Sequence, residues 1–450
     1  MDVVTLSRIQ FGLNIAFHYL FPPLSVGLGL ILVIMEGTYL RTKNPVYHQM
    51  TRFWVKIFAL IFAMGVATGL VQVFGFGTNW ARYSRFVGDV FGSILGAEGI
   101  FAFFLESGFL GVLLFGWNRV SAGMHFFATI MVALGAHFSA LWIVIANSWM
   151  QTPQGHVIVG EGSAKHAEIQ SFWRVLNNPS SVDRLAHVLI GCWLTGAFLV
   201  LSVSAYYLLK KRHLDFAKKS FKIGLIVAGV SVVLQFFSGD SSGRLIAEYQ
   251  PIKLAAFEGV YKTKTPTGMY VFGVVDTKEN KVTGLALPGL LSFLVHRNFK
   301  QPVPGLDQYP KELWPKVGIV FQTYHGMLFM WGFMLFAVFL ALIAVCRRKL
   351  LQSKWTLRLL VISVLFPEIA NQLGWYSAEI GRQPWIVHGI LKTKDGVSAA
   401  LSRGQVVFSL VLFAMIYLLL FILFIYLMDK KIRQGPPENE GTEEYRDRFK

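Results

Sequence analysis

The chain has 450 residues, of which 54% are hydrophobic and only 15% are charged. This balance excludes an ordinary soluble domain, in which about a quarter of the residues carry charge. The 42 Lys and Arg residues outnumber the 25 Asp and Glu residues. They lie between apolar stretches and are not interleaved with exposed aromatic residues, so no nucleic-acid partner is expected.

Apolar stretches of about twenty residues recur along the chain, and each is long enough to cross a bilayer as a helix. Helices satisfy their own backbone hydrogen bonds in lipid, so we predict an all-α polytopic membrane protein with nine transmembrane helices. The predicted spans cover roughly residues 9–40, 53–77, 91–117, 123–150, 184–209, 220–238, 318–346, 357–377 and 404–428.

Basic residues concentrate in the turns at 41–52, 210–222, 347–358 and 429–433. The positive-inside rule puts these turns in the cytoplasm, with the N-terminus outside and the C-terminus inside. The long connection is then an outer loop, and its length favours a functional role. The predicted organisation is helices 1–6 in residues 1–238, the outer loop in 239–317, helices 7–9 in 318–433 and a cytoplasmic tail in 434–450.

The chain contains only two cysteines, Cys192 and Cys346, and both lie in apolar spans. We expect them to be packing residues. No C-x-x-C-H run and no cysteine cluster is present, so any redox centre must use His, Met or carboxylate ligands. The start of the chain lacks the features of a removable signal peptide, and the first span is expected to remain.

Ionisable residues inside a span are costly and therefore indicate function. With the predicted orientation, most of the candidates lie in the outer half of the bundle, where a cofactor cluster across several helices explains a shared depth better than packing does. The candidates are His18 in the first span, Glu98 and Glu106 in the third, His187 in the fifth, Met327 in the seventh and Glu379 at the end of the eighth.

The two histidines have structural alternatives. His18 precedes Pro22 and Pro23, so its ring could bond a carbonyl freed by a proline kink. His187 could be a core histidine. A metal ligand is the favoured interpretation of both.

Met327 alone would be typical of core packing. Paired with His187 on another helix, it fits the His/Met ligation of a low-spin haem. His325 and Met330 lie close to Met327 in the sequence and remain alternative ligands.

Glu98 and Glu106 are eight residues apart, which on an α-helix gives a rise of about 12 Å and neighbouring faces. The third span contains no Lys or Arg to neutralise them. The pattern therefore favours a proton relay of protonated carboxyl groups over a structural ion pair.

Four segments resemble subunit I of the cytochrome bd quinol oxidases, and the resemblance covers nearly the whole chain. The most specific is GWYSAEIGRQPW at Gly374–Trp385. The others are LSRIQF at Leu6–Phe11 with His18, GAEGIFAFFLES at Gly96–Ser107, and KLAAFE at Lys253–Glu258 in the outer loop.

The resemblance implies a haem-carrying subunit of a bacterial inner-membrane oxidase that reduces oxygen to water with electrons from quinol. Its cofactors would be a low-spin haem b, a high-spin haem b, and haem d or a further haem b in its place, all held in the helix bundle. Its partners would be a second membrane subunit, subunit II, and a small single-span subunit, with membrane lipid around them. Quinol would be oxidised in the outer loop, called the Q-loop, which is of the shorter kind here.

Roles carry over to matching residues only. His187 and Met327 would ligate the low-spin haem b, and His18 and Glu379 would serve the high-spin pair in an order left open. The remaining implied roles are Glu98 beside that pair, Arg382 at the haem propionates, Trp385 in electron relay, and Lys253 with Glu258 at the quinol site. Without the resemblance, Lys253 and Glu258 would be interpreted as a solvated surface pair.

The expected mechanism releases quinol protons outside and draws protons from the cytoplasm through Glu106 and Glu98, which builds a proton-motive force without pumping. The absence of a multi-histidine copper cluster argues against a haem–copper oxidase. Two alternatives remain, namely a proton-coupled secondary transporter that uses Glu98, Glu106 and Glu379, and a cytochrome b subunit that does not itself react with oxygen.

Overall fold

The computed structural model describes residues 1–436, and within them nine helical segments are long and apolar enough to cross a membrane. The predicted all-α, nine-span fold is confirmed. In chain order, spans 1 to 9 are Val3–Thr42, Pro45–Thr78, Gly88–Phe115, Ala122–Gln151, Ser181–Lys210, Leu214–Tyr249, Val317–Cys346, Lys354–Ile380 and Arg403–Gln434. Of the predicted tail, residues 437–450 lie outside the described part of the chain.

Several spans contain more than one helix. The α-helices are α1 (Val3–His18), α2 (Pro22–Thr42), α3 (Pro45–Thr78), α4 (Ala81–Phe86), α5 (Gly88–Glu98), α6 (Phe104–Phe115), α7 (Ala122–Gln151), α8 (Phe172–Leu176), α9 (Ser181–Lys210), α10 (Leu214–Tyr249), α11 (Pro251–Phe257), α12 (Leu290–His296), α13 (Val317–Cys346), α14 (Lys354–Ile362), α15 (Leu365–Ile380), α16 (Thr393–Gly396) and α17 (Arg403–Gln434). Short 3₁₀ turns occupy Gly162–Ala164, Leu306–Gln308 and Lys311–Leu313.

The six described strands form three antiparallel hairpins, all in connections between spans. The pairs are β1 (His156–Val159) with β2 (His166–Ile169), β3 (Met269–Asp276) with β4 (Lys281–Leu287), and β5 (Trp385–Val387) with β6 (Leu391–Lys392). None of them was predicted, because they are short and lie in segments interpreted as loops.

Span 1 is broken where the prolines predict a kink. α1 ends at His18, and α2 begins with Pro22 at its first position, where the missing N–H of proline costs nothing. The His18 carbonyl accepts a hydrogen bond from Phe21 N at 3.1 Å. The break leaves the His18 side chain at the end of a helix inside the bundle.

Glycines let the central helices approach closely. A Cβ added to Gly27 of α2 would collide with the backbone of Gly196 in α9, and the reverse also holds. Small residues at such crossings are how membrane helices obtain close backbone packing. α9 therefore lies in the middle of the bundle, with most of its outer surface covered by neighbouring helices.

α10 continues past its predicted end at residue 238 and reaches Tyr249. The added turns carry polar residues that hydropathy alone interprets as loop. These residues have partners: Asp240 forms ion pairs with Arg244 and Arg297, and Ser242 donates a hydrogen bond to Asp183 at 2.5 Å. Partnered polar groups at a span end explain why the helix is longer than the apolar stretch.

The β3–β4 hairpin of the long loop is fastened to α13. His325 Nε2 lies 2.9 Å from the carbonyl oxygen of Tyr270, and Gln322 Nε2 donates to the carbonyl of Gly273 at 2.9 Å. The loop is thus an ordered layer over the end of span 7, and α11 lies within it.

Candidate functional site

The Glu379 carboxylate lies at the centre of a polar network near the end of α15. Its Oε1 accepts hydrogen bonds from Asn147 Nδ2 and Gln151 Nε2, each at 3.1 Å, and its Oε2 forms an ion pair with Arg382. Asn147 and Gln151 are four residues apart on α7 and therefore share a face. This arrangement fixes the carboxylate from two helices.

Two guanidinium groups lie at this network, one buried and one half-buried. Arg382 is only 4% exposed, and its Nε and Nη1 have no hydrogen-bond partner among the described residues. Arg184 of α9 contacts Asn147 Oδ1, lies 5.8 Å from the centre of the Trp375 ring, and has an unpartnered Nε. Unsatisfied buried donors of this kind suit a further carboxylate ligand, which would accept charge-assisted bonds.

Lys253 of α11 is 2% exposed, so it is not a solvated surface residue. Its Nζ donates to Gln151 Oε1 at 2.9 Å and to Gln250 Oε1 at 3.1 Å. Burial lowers the pKa of Lys253 well below its ordinary value, and the positive charges of Arg184 and Arg382 lower it further against the opposing effect of Glu379. The ammonium charge is therefore disfavoured at this position.

Glu258 follows directly after α11 and is 1% exposed. Its Oε2 has no described partner. Burial raises the pKa of Glu258 to about 8, and hydrogen bonding to Tyr324 opposes part of that rise. Lys253 and Glu258 thus contact different helices. Lys253 donates a hydrogen bond to Gln151 of α7, whereas Glu258 lies against Tyr324 of α13, on which its neighbour Phe257 stacks.

A cleft opens beside Lys253, between the start of α11 and the segment after α15. Its lining includes Tyr309, Arg382, Trp385 and His388. Burial lowers the pKa of His388 to about 4, assisted by the positive charges of Lys253 and Arg382, and its Nδ1 has no described partner. The cleft therefore combines aromatic walls with nitrogen groups whose pKa values are lowered, which suits a flat aromatic ligand that bears hydroxyl groups.

His187 of α9 faces α10. Its Nδ1 lies 3.0 Å from Ser238 Oγ, and Gln235 Nε2 lies 3.1 Å from Nδ1 and 3.0 Å from Nε2. Met327 of α13 packs against α15, where a Cβ added to Gly374 would lie 3.0 Å from its Sδ. The two side chains therefore come from separate helices, as the sequence pattern predicts.

His325 differs from Met327 in having both ring nitrogens engaged. Nδ1 lies 3.0 Å from the carbonyl of Phe321 and Nε2 lies 2.9 Å from that of Tyr270. A histidine with a carbonyl oxygen against each ring nitrogen has neither nitrogen open to a metal. This geometry favours Met327 over His325 as a ligand.

His18 bonds a side chain and not a freed carbonyl. Its Nδ1 lies 2.9 Å from Thr68 Oγ1, and that hydroxyl donates to the carbonyl of Met64 at 2.8 Å. Thr68 therefore accepts from Nδ1–H, which leaves the Nε2 lone pair of His18 available. A second partner that fixes the tautomer in this way is typical of ligating histidines.

Glu98 and Glu106 are separated by a π-helical turn, Gly99–Phe103, which regular α geometry does not predict. Glu98 Oε1 accepts from Ser139 Oγ at 2.7 Å. Glu106 is 7% exposed and contacts α7 where residue 135 is glycine, since a Cβ there would lie 2.7 Å from the Glu106 Cβ. π turns often occur at functional sites, and both glutamates contact α7, Glu98 through its carboxyl group and Glu106 through its backbone and Cβ.

Sequence reasoning missed several polar residues of the bundle. Arg184 and Glu368 lie within predicted spans, so the cost of burying ionisable groups was a usable signal for both. Both carboxyl oxygens of Glu368 are buried without a described partner. Asn147 and Gln151 gave no such signal, because uncharged amides are common at the ends of spans.

These donors fit haem on grounds of chemistry. His18 presents a free Nε2, His187 and Met327 supply a His/Met pair from separate helices, and Arg382 keeps two unpartnered donors for a carboxylate such as a propionate. Among residues 1–436, no cluster of three or more His, Cys, Asp or Glu side chains is suited to a bare metal ion. Haem needs only one or two axial ligands from the protein.

Comparison with known proteins gives a match over almost the whole chain. The family described as cytochrome bd terminal oxidase subunit I matches residues 6–436. Cytochrome bd ubiquinol oxidase subunit 1 of Bacillus subtilis is 38% identical over 449 residues, with 97% of this chain and 94% of the relative covered. Cytochrome bd-II ubiquinol oxidase subunit 1 of Escherichia coli is 36% identical over 503 residues, with 97% of each covered.

A solved structure is similar to the same extent. The bd oxidase from Geobacillus thermodenitrificans superposes with a TM-score of 0.90 at 30% sequence identity, covering 97% of this chain and 99% of that one. The similarity therefore includes every span and the loop that carries α11.

Proposed function

This chain belongs to the family of cytochrome bd terminal oxidase subunit I, a quinol-oxidising enzyme of the bacterial cytoplasmic membrane, and we propose that it oxidises quinol in the cleft beside Lys253 and holds the haems that reduce oxygen. This assignment argues against the secondary transporter. The observation that carries the proposal is the hydrogen-bonded chain from buried Lys253 through buried Gln151 to Glu379.

We assign the binding of the quinol ring to the cleft beside Lys253. Lys253 and His388 both line it, and burial together with neighbouring positive charge lowers the pKa of each. A nitrogen with a lowered pKa gives up its proton more readily and can then accept a hydrogen bond from a quinol hydroxyl. Trp385 also lines the cleft and supplies an aromatic surface, and Arg382 of the Arg382–Glu379 pair is part of the same lining.

Glu258 is assigned to the onward release of protons. It does not line the cleft but lies at the other end of α11, buried against Tyr324. A carboxyl group with a pKa of about 8 changes protonation state near neutral pH, as a proton-transfer group must. Lys253 and Glu258, at opposite ends of α11, thus have different roles: Lys253 contacts the quinol hydroxyl, and Glu258 passes the released proton onward.

Haem, when bound, supplies the one-electron transfer steps and the site of oxygen reduction. We assign a low-spin haem b to His187 and Met327, and a high-spin haem b with haem d, or a further haem b in its place, to His18 and Glu379. Arg382 would neutralise propionates through its unpartnered nitrogens. Thr68 orients His18 by accepting its Nδ1–H.

Protons for water formation are assigned to Glu106 and Glu98 of span 3. Ser139 donates to Glu98, and Glu98 would lie beside the high-spin pair.

We retain the orientation with the N-terminus outside and the C-terminus inside, because the basic turns follow spans 1, 5, 7 and 9. In that orientation, the connection between α10 and α13 forms the outer Q-loop, which begins after Tyr249 and not at the expected residue 239. Subunit II and a small single-span subunit are the proposed partners.

A liposome experiment tests this function. The purified complex is reconstituted in one orientation and supplied with quinol and oxygen, with pH indicators on both sides. We expect one proton to be released outside and one to be consumed inside for each electron reaching oxygen. Outward transport of additional protons, or release and consumption on the same side, would contradict the proposed sidedness.

A further inference from the structure

A further buried acid, Glu36, lies near the predicted cytoplasmic end of the bundle. The proposed relay through Glu106 and Glu98 has no group assigned there to take up protons from the cytoplasm. Glu36 of α2 is 2% exposed, and its Oε1 lies 2.6 Å from His125 Nδ1 of α7. Thr129, one turn farther along α7, donates to Glu36 Oε2 at 2.5 Å. Nothing in the quinol or haem chemistry above uses these three side chains.

The contact holds one proton between two atoms. His125 Nε2 lies 3.2 Å from the carbonyl oxygen of Leu113, which can only accept, so Nε2 carries hydrogen. The remaining proton then lies either on His125 Nδ1, giving an ion pair, or on Glu36, giving a neutral pair. Short buried contacts of this kind let a proton move with little rearrangement.

The cluster and the relay lie along the same side of α7. His125 and Thr129 contact Glu36, Gly135 contacts Glu106, and Ser139 contacts Glu98. At about 100° per residue these positions fall within roughly a third of the helix circumference, and they span a rise of about 21 Å. The order along the helix matches the direction of proton travel from the inner side to Glu98.

Span 3 follows the same path. Leu113 bonds His125, and Glu106 lies seven residues earlier on α6, about 10 Å farther outward. Between Thr129 and Gly135 the rise is about 9 Å, a distance that two or three waters would bridge. Gly135 lets α7 approach Glu106 closely, since a Cβ there would lie 2.7 Å from the Glu106 Cβ.

Charged and aromatic groups face the cluster from the cytoplasmic side. Trp117 lies 3.9 Å from the His125 ring centre, and the Arg52 guanidinium lies 5.6 Å from the Trp117 ring. His48 also contacts Trp117, with ring centres 5.2 Å apart. His48 and Arg52 belong to the basic segment 41–52, which the orientation puts in the cytoplasm, and the Trp117 ring lies between them and His125.

We propose that Glu36, His125 and Thr129 form a proton-loading site that receives a proton from the cytoplasmic side and passes it through the Thr129 hydroxyl and water to Glu106. The inference rests on the proposed function, since it supplies the Glu106–Glu98 relay. In each transfer the proton leaves Glu36, the Glu106 carboxylate gains it, and the His125–Glu36 pair regains one from cytoplasmic water. No electron moves in this step.

The first test replaces Glu36 by Gln, which keeps the shape of the side chain but removes its titratable proton. The complete oxidase is reduced under anaerobic conditions and given one pulse of oxygen, and proton uptake is followed with a pH dye. We expect uptake to slow roughly tenfold or more and its solvent deuterium isotope effect to change, while haem content and the rate of anaerobic reduction by quinol stay unchanged.

The second test separates the hydroxyl from packing. Thr129→Val should slow proton uptake, and Thr129→Ser should restore it. Thr51→Val is the matched control, because Thr51 is also fully buried and its hydroxyl bonds only the Tyr47 carbonyl of its own helix. If Glu36→Gln does not assemble, the contrast between Val and Ser at position 129 decides the proposal.

Glu106→Gln in the same assay distinguishes two kinds of failure. Slow uptake in Glu106→Gln with wild-type uptake in both Glu36→Gln and Thr129→Val would overturn the loading site alone. Wild-type uptake in Glu106→Gln would overturn the relay and the loading site together. Equal slowing by Thr129→Val, Thr129→Ser and Thr51→Val would show a packing effect and also overturn the proposal.

Discussion

Lys253 and Glu379 are joined by one side chain, the amide of Gln151, which accepts from Lys253 Nζ at 2.9 Å and donates to Glu379 Oε1 at 3.1 Å. The first residue belongs to the loop helix α11 and the second to span 8. The cleft and the Glu379 carboxylate are therefore one connected polar structure. A change at either end should be measurable at the other.

Gln151→Leu should disturb both ends. It removes one acceptor from buried Lys253 and one donor from Glu379, and each lost bond to a charged or buried group costs about 1–3 kcal/mol. We expect a higher KM for quinol and a shifted visible spectrum of the high-spin haems. Gln170→Leu is the control, because Gln170 is exposed. An altered KM with an unchanged spectrum would show that the two ends act independently.

Glu258 should make quinol oxidation depend on pH. Since burial raises its pKa to about 8, the carboxyl group is protonated below that pH and cannot accept a proton. Turnover with quinol should therefore rise as the pH increases through about 8, and Glu258→Gln should lower turnover and remove this rise. The measurement is oxygen uptake across pH 6 to 9, roughly the range around that pKa.

The control for the Glu258 prediction is to replace quinol by another electron donor. An artificial reductant that bypasses the cleft should drive oxygen reduction at the wild-type rate in Glu258→Gln, and also in Lys253→Ala. Glu248→Gln, at an exposed acid of α10, should behave as wild type with both donors. Equal loss with both donors would instead indicate a folding defect or a role at the oxygen site.

His187→Ala and Met327→Leu should each remove the low-spin haem signal and leave the high-spin signals largely intact, because the two proposed ligands come from separate helices. His325→Gln should retain the low-spin signal, because both His325 nitrogens bond carbonyls. Reduced-minus-oxidised spectra measure this. An unchanged low-spin spectrum in Met327→Leu would contradict the assignment of Met327 as a haem ligand and would favour Met330.

Glu106→Gln should lower steady-state turnover while the haem spectra persist, since glutamine keeps the shape and removes the titratable proton. Glu106→Asp should recover part of the activity, because the carboxyl group remains but is set back by one methylene. Ser107→Ala is a neighbouring control, since its hydroxyl bonds only the Phe103 carbonyl. Loss of haem in Glu106→Gln would indicate a structural role.

The spans were predictable because apolar length is a local property, and all nine appear in the expected order and places, although several helices extend beyond the predicted ends. The largest extension is at the end of α10. Its added turns depend on partners distant in sequence, such as Arg297 for Asp240. The π turn after Glu98 and the three hairpins leave no clear pattern in composition.

The site was predictable one residue at a time but not as a network. The cost of a buried charge identifies Glu98, Glu106 and Glu379, and the same rule would have found Glu36 and Glu368. The bridging role of Gln151 depends on α7 passing between α11 and α15. Local sequence carries no information about that contact.

We propose that this chain holds haems that carry electrons from quinol to oxygen, and the visible spectrum of the purified complex tests this role. The spectrum is recorded after anaerobic addition of quinol and again after a pulse of oxygen. We predict that quinol produces the bands of reduced haem and that oxygen removes them completely. Protein without haem bands, or haem that quinol reduces but oxygen does not reoxidise, would contradict the account.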